Sequence, residues 1–180
     1  SFTISTTGGN TVIRFNQNII SAYTIKDTGS AYEITAKNPQ QVYDKVLLLD
    51  AGHGGNDPGT SGNGLTEKTM NLTMVLKVKS YVESNSNIKV YLTRDDDSRP
   101  ANADRAKTAN QIADLMVSIH MNAGAASASG TETLYAAHSN DGNGTLTSLQ
   151  AAQAVQGRLP SALSTTSMGR WALGFWRRAK

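Results

Sequence analysis

The sequence predicts an α/β fold with a mainly parallel central sheet flanked by helices and preceded by a small β-meander. Two patterns in the 180 residues lead to this prediction. Short strands separated by turn signals occupy residues 1–43, and from residue 44 onward apolar strands alternate with helical patterns. We therefore expect three segments: the end of a β-rich domain at 1–43, an α/β domain at 44–160 and an atypical tail at 161–180.

The first segment predicts three or four short strands. Their residues are apolar or alternate between apolar and polar, and each run ends at glycine, asparagine, aspartate or proline; the runs are 2–4, 12–15, 19–25 and 32–36. A meander of this size is marginally stable alone. We therefore expect it to pack against the segment that follows.

The second segment is organised around residues 46–50, Val-Leu-Leu-Leu-Asp. This run is apolar at successive positions, which is typical of a strand buried on both faces of a parallel sheet. Further strands are predicted at 88–92, 115–119 and 131–136, and helices at 67–84, 100–112 and about 146–159. Thr66 is the expected N-cap of the first helix. Beyond Pro160 no clear period is present, so the tail receives no predicted element.

Composition excludes several classes of protein. The 38% hydrophobic and 17% charged residues are typical of a folded globular chain, and no apolar run approaches the roughly 18 residues of a membrane span. The absence of cysteine excludes disulfides and thiolate metal ligands. The net charge of +3 comes from scattered basic residues, so we expect no nucleic-acid binding. Residues 1–6 already alternate like a strand, which predicts a chain that begins inside a longer precursor.

Two histidines, His53 and His120, each follow the carboxyl end of a predicted core strand. Because such ends meet at one edge of a parallel sheet, both imidazoles are expected there, and Glu67 in the first turn of the nearby helix should join them. Two imidazoles and a carboxylate are the ligand set of a catalytic zinc site. The sequence therefore predicts one Zn²⁺, which lowers the pKa of its bound water to about 7 and polarises a carbonyl.

Each of these residues also has an ordinary structural explanation. A histidine after a strand is usually a loop residue, and a glutamate beside an N-cap complements the helix dipole. The glycines around His53 resemble a phosphate-binding loop, but the Gly-Lys-Ser/Thr ending of that motif is absent. We favour the metal site because it explains three coincidences at one edge.

Six stretches together resemble the zinc-dependent N-acetylmuramoyl-L-alanine amidases, the type-3 amidase family of bacterial cell-wall hydrolases. They are DAGHGGNDPG at 50–59, TEK at 66–68, TR at 93–94, RAKTAN at 105–110, SIHMN at 118–122 and GTET at 130–133. The resemblance spans about 45–135 and implies that His53, Glu67 and His120 bind zinc. The segment 1–43 is similar, more weakly, to the end of a β-rich wall-targeting domain.

The chain departs from the family in one respect. Family members carry a further glutamate, the general acid/base, in a late Pro-x-x-Leu-Val-Glu-x-Gly-Phe motif, and this motif is not found after Leu159. Gly174-Phe175 repeats only its last two residues. The change after Pro160 indicates a truncation or a shifted reading frame, so the final strands and helix of the family are expected to be missing.

Five further residues are candidates for a role at this edge. Glu132 and Glu83 are candidates to replace the missing glutamate, but Glu132 is expected to be a structural strand residue and Glu83 a surface charge at a helix end. His138 could approach the metal as an extra ligand, but it is expected to be a loop histidine. Asn122 and Arg94 are expected to steady a ligand or to contact peptide carboxylates.

The resemblance implies hydrolysis of the amide between N-acetylmuramic acid and L-alanine, with peptidoglycan as the partner and zinc-bound water as the nucleophile. It also implies a protein that acts outside a bacterial cell or in its wall. A zinc-binding or wall-binding module without catalysis is the alternative that the missing glutamate favours. A zinc carboxypeptidase is a third interpretation, which rests on the ligand types alone.

Overall fold

The computed structural model of the chain describes residues 1–62, 64–122, 130–136, 147–159 and 170–177. Its α-helices are α1 Glu67–Asn85, α2 Asn102–Ile112 and α3 Ser148–Gln156. Its strands are β1 Phe2–Thr7, β2 Asn10–Phe15, β3 Ala22–Asp27, β4 Tyr32–Lys37, β5 Val46–Ala51, β6 Ser61–Gly62, β7 Leu65–Thr66, β8 Lys89–Leu92, β9 Leu115–Asn122, β10 Thr131–Tyr135 and β11 Arg170–Arg177. No helix within these ranges is long and apolar enough to cross a membrane.

The four N-terminal strands are confirmed, and they pair as two separate antiparallel hairpins rather than as one continuous sheet. Strand β1 pairs with β2, and β3 pairs with β4. The second hairpin is joined to the α/β domain on both sides: Ile20 packs against a core cluster of that domain, and the Asn38 side chain donates to the Gln111 carbonyl at 2.9 Å. The packing of this segment on the following domain thus involves residues that flank the second hairpin, and Gln40 adds a contact with Asp114.

The predicted α/β fold with a mainly parallel sheet is confirmed. The central sheet has the order β10-β11-β9-β5-β8, and β9, β5 and β8 are mutually parallel. Strand β11 runs antiparallel to β9 and parallel to β10, so the sheet is mixed. Strand β5 lies inside the sheet with the parallel neighbours β8 and β9, as its continuous apolar run predicts.

Successive residues of β5 pack on opposite faces of the sheet. Leu49 belongs to a cluster with Val75 of α1, whereas Leu48 belongs to a cluster with Ile112 of α2. Ala151 and Ala152 of α3 pack on Val117 and Leu173, which also border the α1 cluster. Helices α1 and α3 therefore cover one face, and α2 covers the other.

Strand β11 is an element that the sequence did not predict. It lies in the tail and inserts between β9 and β10 in the central sheet. Its run Trp-Ala-Leu-Gly-Phe-Trp is rich in aromatic residues that favour strands, but a glycine and an alanine interrupt the apolar pattern. The domain boundary at residue 160 stays a prediction.

Candidate metal centre

The loop after β5 turns sharply so that His53 faces the edge of the sheet. His53 has a φ of 63°, in the left-handed region that non-glycine residues rarely adopt. Such strain persists where the surrounding structure holds it, and here the Arg105 guanidinium donates to the His53 carbonyl at 2.8 Å. The backbone is thus fixed in the conformation that aims the imidazole at Glu67.

Glu67 is the first residue of α1, and only 3% of it is exposed. Burial acts to raise the pKa of its carboxyl, but hydrogen bonds from the Thr60 and Met121 amides and from His120 outweigh burial and lower it. The Thr60 amide and hydroxyl donate to Oε2 at 2.9 and 3.1 Å, and the Met121 amide donates to Oε1 at 3.0 Å. The group is therefore held as a buried carboxylate.

The three predicted ligands meet at one point. Glu67 Oε1 lies 3.0 Å from His53 Nε2 and 3.0 Å from His120 Nδ1, and the three ligand atoms all lie within 4.8 Å of one another. Ligands about 2 Å from a tetrahedral zinc ion stand about 3.3 Å apart, so this spacing fits such an ion. The donor set of two nitrogens and one carboxylate oxygen also fits zinc.

Asp57 orients the first imidazole. Its Oδ1 lies 3.0 Å from His53 Nδ1, and its carboxylate also accepts from the Gly59 amide and from Arg99. The hydrogen bond to His53 is the main reason that the pKa of Asp57 is lowered. A proton on Nδ1 leaves the Nε2 lone pair free toward Glu67, which is the arrangement of a carboxylate–histidine–metal triad. Sequence reasoning gave Asp57 no role, although it lies in the same motif four residues after His53.

Two glycines make room for this close arrangement. A Cβ at Gly52 would lie 2.2–2.6 Å from the His120 ring, and one at Gly59 would lie 2.6 Å from Glu67 Oε2. Both distances are below any real contact of a Cβ atom. The motif glycines therefore serve side-chain packing at the metal centre.

A buried ion pair supports the loop that follows β5 and carries His53. Asp50, near the end of β5, pairs with Arg105 of α2 and also accepts from the hydroxyls of Thr93 and Ser118 at 2.6 Å. Arg105 in addition donates to the Ala51 and His53 carbonyls. This network joins β5, β9 and α2 under the loop, and sequence reasoning had not assigned it.

Arg94 lies in the scaffold of the loop rather than at a surface that could contact substrate. It is only 4% exposed, and its guanidinium donates to four backbone carbonyls, those of Ala51, Gly52, Lys68 and Asp96. These bonds leave the expected contact with peptide carboxylates without structural support. The guanidinium instead satisfies carbonyls that the irregular loop leaves unpaired.

The other candidate residues have different positions. Asn122 donates to Glu132 of β10, so these two side chains are joined, and neither belongs to the three-residue cluster. Glu83 lies at the far end of α1 and contacts Lys79, Lys89 and the Val90 amide, as expected of a surface charge. His138 lies outside the described residues.

Beside the imidazoles lies a cavity of about 410 Å³. Its lining includes His53 and His120, Met116 and Ser118 of β9, Asn102 and Ala106 of α2, and Arg99. An extended substrate could therefore lie beside the three ligands.

Comparison with known proteins now identifies the family. The profile of the N-acetylmuramoyl-L-alanine amidases (Amidase_3) matches residues 47–172, which is more than half of the chain. The chain belongs to the N-acetylmuramoyl-L-alanine amidase family. The resemblance seen in the sequence is confirmed.

Individual relatives resemble the chain to different extents. The uncharacterized protein YqiI of Bacillus subtilis is 37% identical over 134 residues, and the match covers 74% of this chain and 63% of YqiI. The amidase LytC of the same organism is 34% identical over 142 residues, which cover 78% of this chain and 27% of LytC. The chain thus spans less than two thirds of the length of these relatives.

A solved structure supports the fold assignment. The catalytic domain of CwlV, an N-acetylmuramoyl-L-alanine amidase from Bacillus (Paenibacillus) polymyxa, superposes with a TM-score of 0.57 at 30% identity. The superposition covers 72% of this chain and 79% of that domain.

Strand β11 bears on the family's missing glutamate. Its residues 172–175 are Ala-Leu-Gly-Phe, so aligning the shared Gly-Phe places Ala172 where the family motif has glutamate. In the antiparallel pairing of β11 with β9, residue 172 is the partner of His120. A backbone position beside the metal centre is therefore present, but the residue there has no ionisable group.

Proposed function

We propose that this chain is a zinc-dependent peptidoglycan amidase domain, which hydrolyses the amide between N-acetylmuramic acid and L-alanine. The observation that carries the proposal is the convergence of His53, Glu67 and His120 on one point beside an open cavity, in a member of the amidase family. The proposal includes a site of action outside the cell or in its wall, where peptidoglycan is found.

The residues have distinct roles in this proposal. His53 Nε2, Glu67 Oε1 and His120 Nδ1 would hold the ion, and Asp57 keeps the proton on His53 Nδ1. When bound, zinc supplies Lewis acidity, which polarises the scissile carbonyl and allows water to attack near neutral pH. The cavity beside the imidazoles would position the substrate.

A second candidate function is favoured by one specific observation, the alanine at position 172. A chain that binds zinc but has no general acid/base next to His120 would act as a zinc-binding or wall-binding module. Loss of a general acid/base typically lowers the rate about 10²- to 10⁴-fold.

The release of peptides with N-terminal L-alanine from purified peptidoglycan tests the proposal. The amidase proposal expects release that a chelator abolishes and that added Zn²⁺ restores, and no release by His53→Ala or Glu67→Ala. Zinc titration of the same proteins separates the two candidates, because a protein that retains zinc and releases nothing supports the module. A protein that neither binds zinc nor releases peptide would contradict both.

A further inference from the structure

We propose that Arg99 recognises a carboxylate on the peptide side of the substrate, so that the peptide lies in the cavity between the imidazoles and α2. This inference rests on the proposed function and names the orientation of the substrate in that site. It is carried by the position, exposure and contacts of Arg99.

Arg99 is the exposed arginine that lines the cavity. Its side chain is 61% exposed, whereas the other arginine of the lining, Arg105, is buried and paired with Asp50. The buried ion pair has no charge left for a ligand, because its donors are directed to Asp50 and to backbone carbonyls. Among the described lining residues, Arg99 is thus the one that can offer charged donors to an incoming group.

The guanidinium of Arg99 is anchored to Asp57 through only some of its donors. Nε and Nη2 lie 3.3 and 3.2 Å from the same oxygen, Asp57 Oδ2, while the other oxygen of Asp57 faces His53. The Nη1 side of the guanidinium lies outside this contact. A guanidinium anchored through its Nε–Nη2 edge keeps the N–H groups of its Nη1–Nη2 edge outside the contact, and two parallel N–H groups of this kind suit bidentate binding of a carboxylate.

The same contacts fix the distance of Arg99 from the metal centre. Asp57 alone separates the guanidinium from the His53 ring. Since an extended residue spans about 3.5 Å, the guanidinium lies within two or three residues of the amide that would be cleaved. A carboxylate on the first residues of the peptide can therefore reach it.

The chemistry of the substrate decides whether its peptide or its glycan lies next to Arg99. The muramic acid carboxyl is consumed in the scissile amide, so a nearby carboxylate must come from the peptide. In the acidic stretch 95–97 before Arg99, Asp97 pairs with Lys68 at 2.7 Å, which reduces its repulsion of a carboxylate bound here. The glycan then extends away from α2.

Product binding tests this orientation without requiring turnover. The probes are L-alanyl-D-glutamate and its diamide, in which the α-carboxyl and the γ-carboxyl of the glutamate are both amidated. Each is titrated calorimetrically into the zinc-loaded chain. We expect the acid to bind about 10-fold more tightly than the diamide, and we expect Arg99→Gln to remove this preference. Lys107→Gln, which removes an exposed positive charge from α2 and does not alter the lining of the cavity, should retain it.

The outcomes are separable from those of the proposed function. Equal binding of acid and diamide by the wild-type chain, no binding of either, or an unchanged preference in Arg99→Gln would each overturn the inference. Zinc affinity measured on Arg99→Gln should equal that of the wild type, and a loss there would assign Arg99 to the metal centre instead. Failure of the chain to cleave peptidoglycan would overturn the proposed function but would not alter these binding results.

Discussion

At the scale of single residues, the metal centre depends on side chains that are not ligands. Asp57 fixes the tautomer of His53, and Gly52 and Gly59 allow rings and carboxylate to approach each other. The backbone of His53 itself is held at a φ of 63°. The three candidate ligands are therefore held close together in the absence of an ion, and such preorganisation would reduce the cost of binding one.

Asp57→Asn should weaken zinc binding. The variant keeps the size of the side chain but loses the charge that holds the imidazole, and removal of such a partner typically costs about 10- to 100-fold in metal affinity. Competition with a chelating dye measures the dissociation constant. Asp96→Asn is the matched control, because Asp96 is an exposed aspartate in the loop before α2 whose side chain accepts from Ser98. Equal zinc affinity in Asp57→Asn and in the wild type would show that this carboxylate does not support the site.

The ligands themselves could be predicted from the sequence because each follows a simple signal. His53 and His120 follow the apolar runs 46–50 and 115–119 in the sequence, and Glu67 opens a helix. The expected role of Arg94, to steady a ligand or to contact peptide carboxylates, stays a prediction. The sequence pattern places an arginine at the edge, but it cannot show that this arginine donates to four carbonyls of an irregular loop. Asp57 and Arg105 were missed because their partners lie in contacts that sequence spacing does not reveal.

At the scale of elements, the far end of α1 is tied to β8 by Glu83. Its carboxylate contacts Lys79 and Lys89 and accepts from the Val90 amide. Burial acts to raise its pKa, but these partners outweigh burial and lower the pKa to about 2. The ionised form is therefore more stable in the folded chain than in the unfolded one.

Glu83→Gln should reduce the acid dependence of stability. Because the folded pKa is depressed, the contribution of Glu83 is fully present above its unfolded pKa of about 4.3 and is lost as the pH falls toward 2. We expect the variant to lose about 1 kcal/mol of unfolding free energy at pH 7 and to show a shallower decline between pH 5 and 2. Urea unfolding at several pH values measures both. Parallel curves for the two proteins across that range would contradict the assignment.

Ala172→Glu should increase amidase activity. The substitution introduces a carboxylate at the backbone position paired with His120, where the family motif has its general acid/base. If its absence limits the reaction, the rate of peptide release should rise by about 10²- to 10⁴-fold. Ala172→Gln is the matched control, since it has the same shape without the ionisable group. Equal rates for the two variants would show that a carboxylate at this position is not what the chain lacks.

At the scale of the whole molecule, the α/β order was predictable because each element carries a local pattern. Strand β5 shows a continuous apolar run, and α1 begins at the expected Thr66 N-cap. Pairing between distant segments was not predictable: β11 joins the sheet from the tail, and the N-terminal strands pair as two hairpins. Such pairings depend on which edges remain open after the local elements have formed, and no short stretch of sequence encodes that.

Zinc should stabilise the entire fold, because its ligands come from three separate parts of the chain. His53 follows β5, Glu67 opens α1 and His120 lies on β9, so an ion bound to all three links the centre of the sheet to a covering helix. An ion that binds only the folded chain adds about 2.7 kcal/mol at a free concentration 100-fold above its dissociation constant. For a chain of this length, this corresponds to a rise in Tm of roughly 5–10 °C.

Calorimetry with and without Zn²⁺ measures this rise in Tm. His120→Ala should abolish the rise, whereas Lys107→Gln should retain it. An equal rise in His120→Ala would mean that the ion binds elsewhere, and no rise in the wild-type chain would mean that the three side chains meet without forming a metal site.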